Sequence, residues 1–165
     1  MSEVASLAQL MHGLDSPMYV VTARHRDKDD LISGCLVSYA TSCSLRPERF
    51  LACLSIPNHT YRVATEADFL AVHSLEAGHR EIARLFGTRT GDEVDKFAEC
   101  RWHPGLEDVP ILDDVPKYFV GEIVDRLPLG DHVGFLLAPV EFALPDRELP
   151  LTFSSVTHWT AGHPG

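Results

Sequence analysis

Basic residues are scarce in this chain. Its 165 residues carry 14 lysines and arginines against 24 aspartates and glutamates, a net charge of −10. With no basic stripe, nucleic acid and anionic membranes are not expected as partners. An anionic ligand would have to be held by local donors, against the overall field. Long apolar runs are missing too, and nothing approaches the ~18 to 20 residues of a membrane-spanning helix. The opening MSEVASLAQLMHGLDSPMYV lacks a basic n-region and a long apolar core, so no signal peptide is expected. Cysteine is sparse: Cys35, Cys43, Cys53 and Cys100, with no C-x-x-C pair. The first three lie in or beside apolar segments, where a free cysteine behaves as a small hydrophobe. Reduced, structural cysteines of a cytoplasmic protein are the expectation.

Familiar catalytic and nucleotide motifs are absent. There is no G-x-x-x-x-G-K-[ST], no G-x-G-x-x-G after a strand and no G-x-S-x-G elbow. Cys100-x-x-His103 has no second ligand pair at zinc-site spacing, so no metal is expected.

What is present reads as one domain with a sizeable core, at 45% hydrophobic residues. EVASLAQLMHGL has helical spacing and closes at Gly13. MYVVTAR (18–24) and LISGCLVSYA (31–40) read as antiparallel strands, with Gly34 marking a bulge or a close backbone approach. RFLACLSI (49–56) is apolar on both faces, as in a fully buried strand. A short helix capped by Thr60, a strand at 68–75 and a helix ending at Gly87 follow. TGDEVDKF has a capping-box pattern from Thr90. RWHPGLEDVPILDDVP reads as a loop. Strands at 117–127 and 132–144 form a hairpin around PLGD, and 149–159 reads as a last strand. Six or seven mainly antiparallel strands with two or three helices suit a closed or partly closed barrel.

Three polar clusters stand out, each with two readings. SYATSCS, residues 38–44, either satisfies a turn or faces a polar aromatic ligand. PNHT, residues 57–60, is either a plain helix cap or an anion site at a helix start. GDH, residues 130–132, is either hairpin chemistry or a histidine presented at a strand mouth.

In order along the chain, these segments resemble the flavin reductase-like family with the FMN-binding split-barrel fold, the small partners of two-component flavin monooxygenases. The matching stretches are MYVVTA, then Gly34-x-x-x-Ser38 and a small-polar loop ending Ser44-x-x-Pro47. NHTYRVATEADFLAVHSL, EIARLFG, DKF, GDHVGFLLAPV and LPLTF follow. The resemblance implies a mainly β fold with α, a split β-barrel domain over residues 1–165. It implies a homodimer with FMN, or FAD, near the subunit interface. Ser38, Tyr39, Ala40, Thr41, Ser42, Cys43 and Ser44 would lie along the isoalloxazine and ribityl chain. Asn58, His59 and Thr60 would hold the phosphate, with Arg62 near, and His132 would be the catalytic residue beside the nicotinamide or the flavin ring. The implied reaction is hydride transfer from NADH or NADPH to flavin N5, with reduced flavin passed to a monooxygenase. That step needs orientation rather than a general acid or base.

The chain departs from many relatives at Leu36, Tyr39, Arg46, Asn58 and His59. Fewer cations at the phosphate imply weaker flavin affinity, or flavin as a substrate. The changes at Leu36 and Tyr39 imply a narrower nicotinamide side. The alternatives are a non-reductase flavoprotein of the same fold, carrying electrons or acting on its own organic substrate, and a module holding haem, a deazaflavin or nothing.

Overall fold

The computed structural model describes residues 5–146 and 149–162. Helix α1 (Leu7–His12) is held by a Ser6–Gln9 capping box and closed at Gly13, and none of its residues is buried. Its expected start at residues 3 and 4 lies outside the described residues. Strands β1 (Tyr19–Arg24) and β2 (Ile32–Val37) pair antiparallel, Tyr19 facing Val37 and Arg24 facing Ile32. The run then turns at Ser38-Tyr39 into β3 (Ala40–Leu45) and β4 (Glu48–Ser55). Helix α2 (His59–Thr65), β5 (Phe69–Ser74) and helix α3 (Arg80–Thr88) follow. A small hairpin of β6 (Trp102–Pro104) and β7 (Pro110–Leu112) precedes the long β8 (Tyr118–Pro128) and β9 (His132–Ala143).

Seven strands form one antiparallel sheet, ordered β2-β1-β5-β8-β9-β4-β3. The terminal strands of that order are neighbours in sequence, joined only by Ser38-Tyr39. Two residues span only about 7 Å, so the sheet must curl until its edges meet. The edges are brought together by this short link but do not zip together: Cys53 N–H, which reaches Tyr39 O at 2.8 Å, only extends the β3–β4 ladder, and among the described residues β2 has no strand partner besides β1. The result is a split barrel.

The valines of β1 show how the core divides. Val21 packs inside the barrel with Leu54, Leu70 and Phe135, while Val20 packs outside with Leu75, Phe86 and Leu112. The period of two puts successive side chains on opposite faces, and both faces of β1 are covered. Gly34 sits where α3 crosses β2, and a Cβ there would lie 2.7 Å from the Phe86 ring. It therefore marks a close approach, not a bulge.

Several expectations are corrected. Residues 38–44 are mostly an edge strand rather than a loop, because the small polar residues of β3 pair with β4. Strand β4 is only partly buried: its sheet position beside β3 leaves Phe50, Leu51 and Cys53 half-covered. Cys43 on β3 is exposed, unlike a packed hydrophobe. Asn58, not Thr60, caps α2, its Oδ1 accepting from Thr60 N–H at 2.9 Å. Helix α3 runs past Gly87 to Thr88, since Gly87 leaves room for Leu36, 2.7 Å from where its Cβ would be. Thr90 starts only a turn: its carbonyl accepts from Val94 N–H at 3.1 Å, and Asp95 then caps a short 3-10 turn over Lys96–Glu99. The 101–116 stretch contains the β6–β7 hairpin, because His73 supplies an acceptor for Leu112 N–H at 3.1 Å. Residues 149–159 make two isolated bridges, Pro17 to Thr152 and Glu76 to Pro150, then a 3-10 turn over Phe153–Ser155, so no last strand forms.

Candidate functional site

The unpaired edge of β2 organises the site. Gly34 O points away from β1, accepting from Lys96 Nζ at 3.0 Å. Peptide groups of alternate residues in a strand point the same way, so those of Leu36 also face the free side. Three adjoining cavities run along this edge. The first, about 230 Å³, lies between β2 and the β4–β9 side and is lined by Ser38, Tyr39, Cys53, Ser55, Asn58 and His132. The second, about 170 Å³, shares Cys35, Leu36, Ser38 and Asn58 with it and adds Arg89 and Lys96. The third, about 560 Å³, shares Lys96 and is bordered by Ser33, His59, Asp92, Glu93 and Trp102.

Rings mark one end of the edge. Tyr39 is 65% exposed, and its ring lies 5.2 Å from His132, tilted by 58°. His132 Nδ1 is 2.7 Å from Asp131 Oδ1. That hydrogen bond holds the Asp131 carboxyl below its ordinary pKa.

Behind the middle of the edge lies a buried polar chain. Ser33 Oγ is 2.8 Å from both His59 Nδ1 and Thr60 Oγ1. Thr60 is 1% exposed, its hydroxyl bonded to Ser33. Burial lowers the His59 pKa, with Asp92 opposing. Lys96 is 5% exposed, and its ammonium also donates to Phe86 O at 3.1 Å. Burial lowers its pKa, and burial raises that of the neighbouring Cys35 thiol, which disfavours a reactive thiolate there.

The residues expected from sequence are thus divided. Ser38, Tyr39, Asn58 and His132 line one cavity. His59 lines the largest of the three cavities, apart from His132. Ala40 packs on the barrel core. Thr41, Ser42 and Cys43 are exposed on β3, and Ser42 and Ser44 line a separate hollow with Phe50, Phe119 and Phe142. Arg62 pairs with Asp92 and donates to Pro57 O at 3.1 Å, lining none of the three cavities. Sequence reasoning missed Ser55, Arg89, Lys96 and Trp102. For Lys96 a signal existed, the DKF stretch, but nothing in it revealed a buried cation.

The flavin reductase like domain matches residues 11–159, and the chain belongs to that family. It is 28% identical over 146 residues to the FMN reductase (NADH) RutF of Cronobacter sakazakii, covering 88% of this chain and 86% of that protein. Other relatives are longer, and the chain spans 22%, 63% and 31% of the lengths of three of them. Among solved structures it resembles the NADH:FAD oxidoreductase SgcE6 of Streptomyces globisporus, in complex with NAD and FAD fragments. The TM-score is 0.74 at 25% identity, over 89% of this chain and 90% of that one. It shares its fold with nitrilotriacetate monooxygenase component B from Mycobacterium thermoresistibile, at TM-score 0.76 and 21% identity, over 87% and 78% of the two chains.

Proposed function

We propose that this protein is an NAD(P)H-dependent flavin reductase, built as one split-barrel domain. The observation that carries the reading is the free edge of β2, with aromatic rings at one end and cations at its middle. A flavin ring presents donors and acceptors along one side, which unpaired peptide groups of a strand can match. Its phosphate needs local cations in a chain of net charge −10, and Arg89 and Lys96 meet that need. FMN therefore fits the donor set, and FAD has the same ring and first phosphate.

In this reading Ser38 and the Leu36 peptide orient the ring, while Tyr39 and His132 cover its exposed side. Asn58 stands between ring and phosphate, lining both cavities. His59 and Thr60 brace β2 from behind through Ser33. Bound flavin supplies the redox chemistry, taking a hydride from NADH or NADPH. The chain's part is to hold the reactants in contact and exclude water. Asp131 keeps His132 turned toward Tyr39 rather than acting on a proton of the reaction.

A homodimer belongs to the reading. Ser42, Ser44 and Leu45 of β3, with Phe142 of β9, make an exposed face of small polar and apolar groups that suits contact with a second copy. A monooxygenase as recipient of reduced flavin accords with the family and with the fold shared with component B. Among the described residues no helix is long and apolar enough to cross a membrane. The cytoplasm is the proposed location.

The test is an anaerobic absorbance spectrum of protein with FMN, before and after NADH or NADPH. Bleaching of the flavin bands at a rate set by protein concentration supports the reductase. Bound flavin that stays oxidised with both nucleotides supports a non-reductase flavoprotein instead.

A further inference from the structure

One wall of the middle cavity belongs to no sheet. Residues 153–162 supply it: Phe153, Val156, Trp159 and Ala161 line the cavity together with Leu36 and Ser38 of the β2 side. Beyond the bridge at Thr152 this segment joins no ladder and makes only a 3-10 turn over Phe153–Ser155. Backbone outside a ladder opens at a lower free-energy cost than the sheet beneath it.

The segment is held instead at its two ends. At one end Ser154 donates twice to the Asp15 carboxylate, from its N–H to Oδ1 at 2.9 Å and from its hydroxyl to Oδ2 at 2.7 Å. Phe153 N–H adds a bond to Ser16 O at 2.7 Å. At the other end Gly162 N–H reaches Gly87 O at 3.3 Å. Gly162 also lies so close to Arg89 that a Cβ would stand 2.6 Å from the Arg89 carbonyl carbon. Arg89 is one of the two cations bordering the cavity. Between the ends, Val156 is buried in the outer core with Phe86, and the Arg80 guanidinium stands 5.7 Å over the Trp159 ring.

The Asp15 anchor stands apart from the site. Asp15 is exposed and lines none of the three cavities. The bonds from Ser154 hold its carboxyl down to a pKa of about 2, so it is ionised in any working buffer. Its influence on the cavity passes through the segment it holds. A flavin in the cavity touches both walls, so loosening one wall loosens the ligand.

We propose that residues 153–162 are a strap closing over flavin bound at the β2 edge, and that Asp15 is a positioning residue which sets, through Ser154, how long the flavin stays. The inference rests on the flavin-reductase reading. In a reductase that hands its flavin on, release is a step of turnover, and the strap puts control of that step outside the groups that hold the ring.

The experiment loads the protein with FMN and follows release by flavin fluorescence on rapid dilution. Wild type, Asp15→Ala, Ser154→Ala and the double variant are compared. Arg101→Ala is the control, since its exposed pair with Asp114 borders none of the three cavities. Asp15→Ala is expected to release FMN about 5-fold faster, the loss of roughly one hydrogen bond to a charged group at the surface. Ser154→Ala should add little to Asp15→Ala, because both act on one contact. Bleaching of bound flavin at saturating NADH or NADPH should be unchanged. Chymotrypsin cleavage after Phe153 and Trp159, read by mass spectrometry, should be slowed by FMN and quickened by Asp15→Ala. Release from Asp15→Ala no faster than from wild type, equal acceleration in Arg101→Ala, or cleavage indifferent to FMN overturns the strap. FMN that binds and bleaches in that same sample leaves the reductase reading standing. Wild type that takes up no FMN overturns both.

Discussion

His73 shows how one residue can tie a sheet to what lies over it. It is fully buried, its Nδ1 donating to Val20 O and its Nε2 accepting from Leu112 N–H, both at 3.1 Å. Only the neutral ring can do both. Burial pushes its pKa down to about 4. The unfolded chain binds a proton near the ordinary value of about 6.5, so stability is complete above that pH and is lost as pH falls toward 4. The loss attributable to His73 is about 3 kcal/mol. Thermal melts from pH 7 to pH 4 should therefore steepen downward in the wild type. His73→Gln should start lower and vary less with pH, and an equal slope would clear His73 of the effect. Thr60 gives a second test at this scale. Thr60→Val should cost about 1 kcal/mol through the lost bond to Ser33. FMN affinity should hold, because the hydroxyl is turned into the fold. A several-fold loss of FMN affinity at unchanged stability would return Thr60 to the phosphate. Neither role was legible from sequence, where His73 is one histidine in an apolar strand and Thr60 looks like a cap.

At the scale of elements, regular patterns are legible in the sequence and mixed ones are not. Strands β1, β2, β5, β8 and β9 follow runs of β-branched and apolar residues, and each forms where expected. Strand β3 reads as a loop from sequence because ATSCSL lacks the apolar alternation of a half-buried strand. Its ladder with β4 comes from chain connection, not from its side chains. Residues 149–159 erred the other way: LTF has strand propensity, but its backbone finds only isolated bridges to Pro17 and Glu76. The contact between α3 and β2 is testable. Gly34→Val would drive a branched side chain into Phe86 and is expected to destabilise by about 1 to 3 kcal/mol. Denaturant unfolding measures it, and an unchanged midpoint would mean that α3 is free to shift.

At the scale of the whole molecule, the curled sheet leaves apolar surface uncovered. Phe142 is 53% exposed on β9, beside the hollow formed with β3. Sedimentation should give twice the chain mass of 18.3 kDa. Phe142→Asp should shift it to the monomer, since a charge buried at an interface without a partner is costly. A variant that remains dimeric would place the contact on another face.

The sequence by itself determined the class of fold, because strand period, turn chemistry and helix spacing are local properties repeated over many residues. It also marked Ser38, Tyr39, Asn58 and His132, which the fold brings to one cavity from three separate segments. Only the tertiary structure decided which strand edge stays unpaired, since that depends on how seven strands are ordered. It likewise placed Lys96 and Arg89 beside that edge, from segments more than fifty residues after it in the chain. Whether a charged side chain is solvated or buried against carbonyls is a property of what packs around it, and no spacing within DKF contains that information.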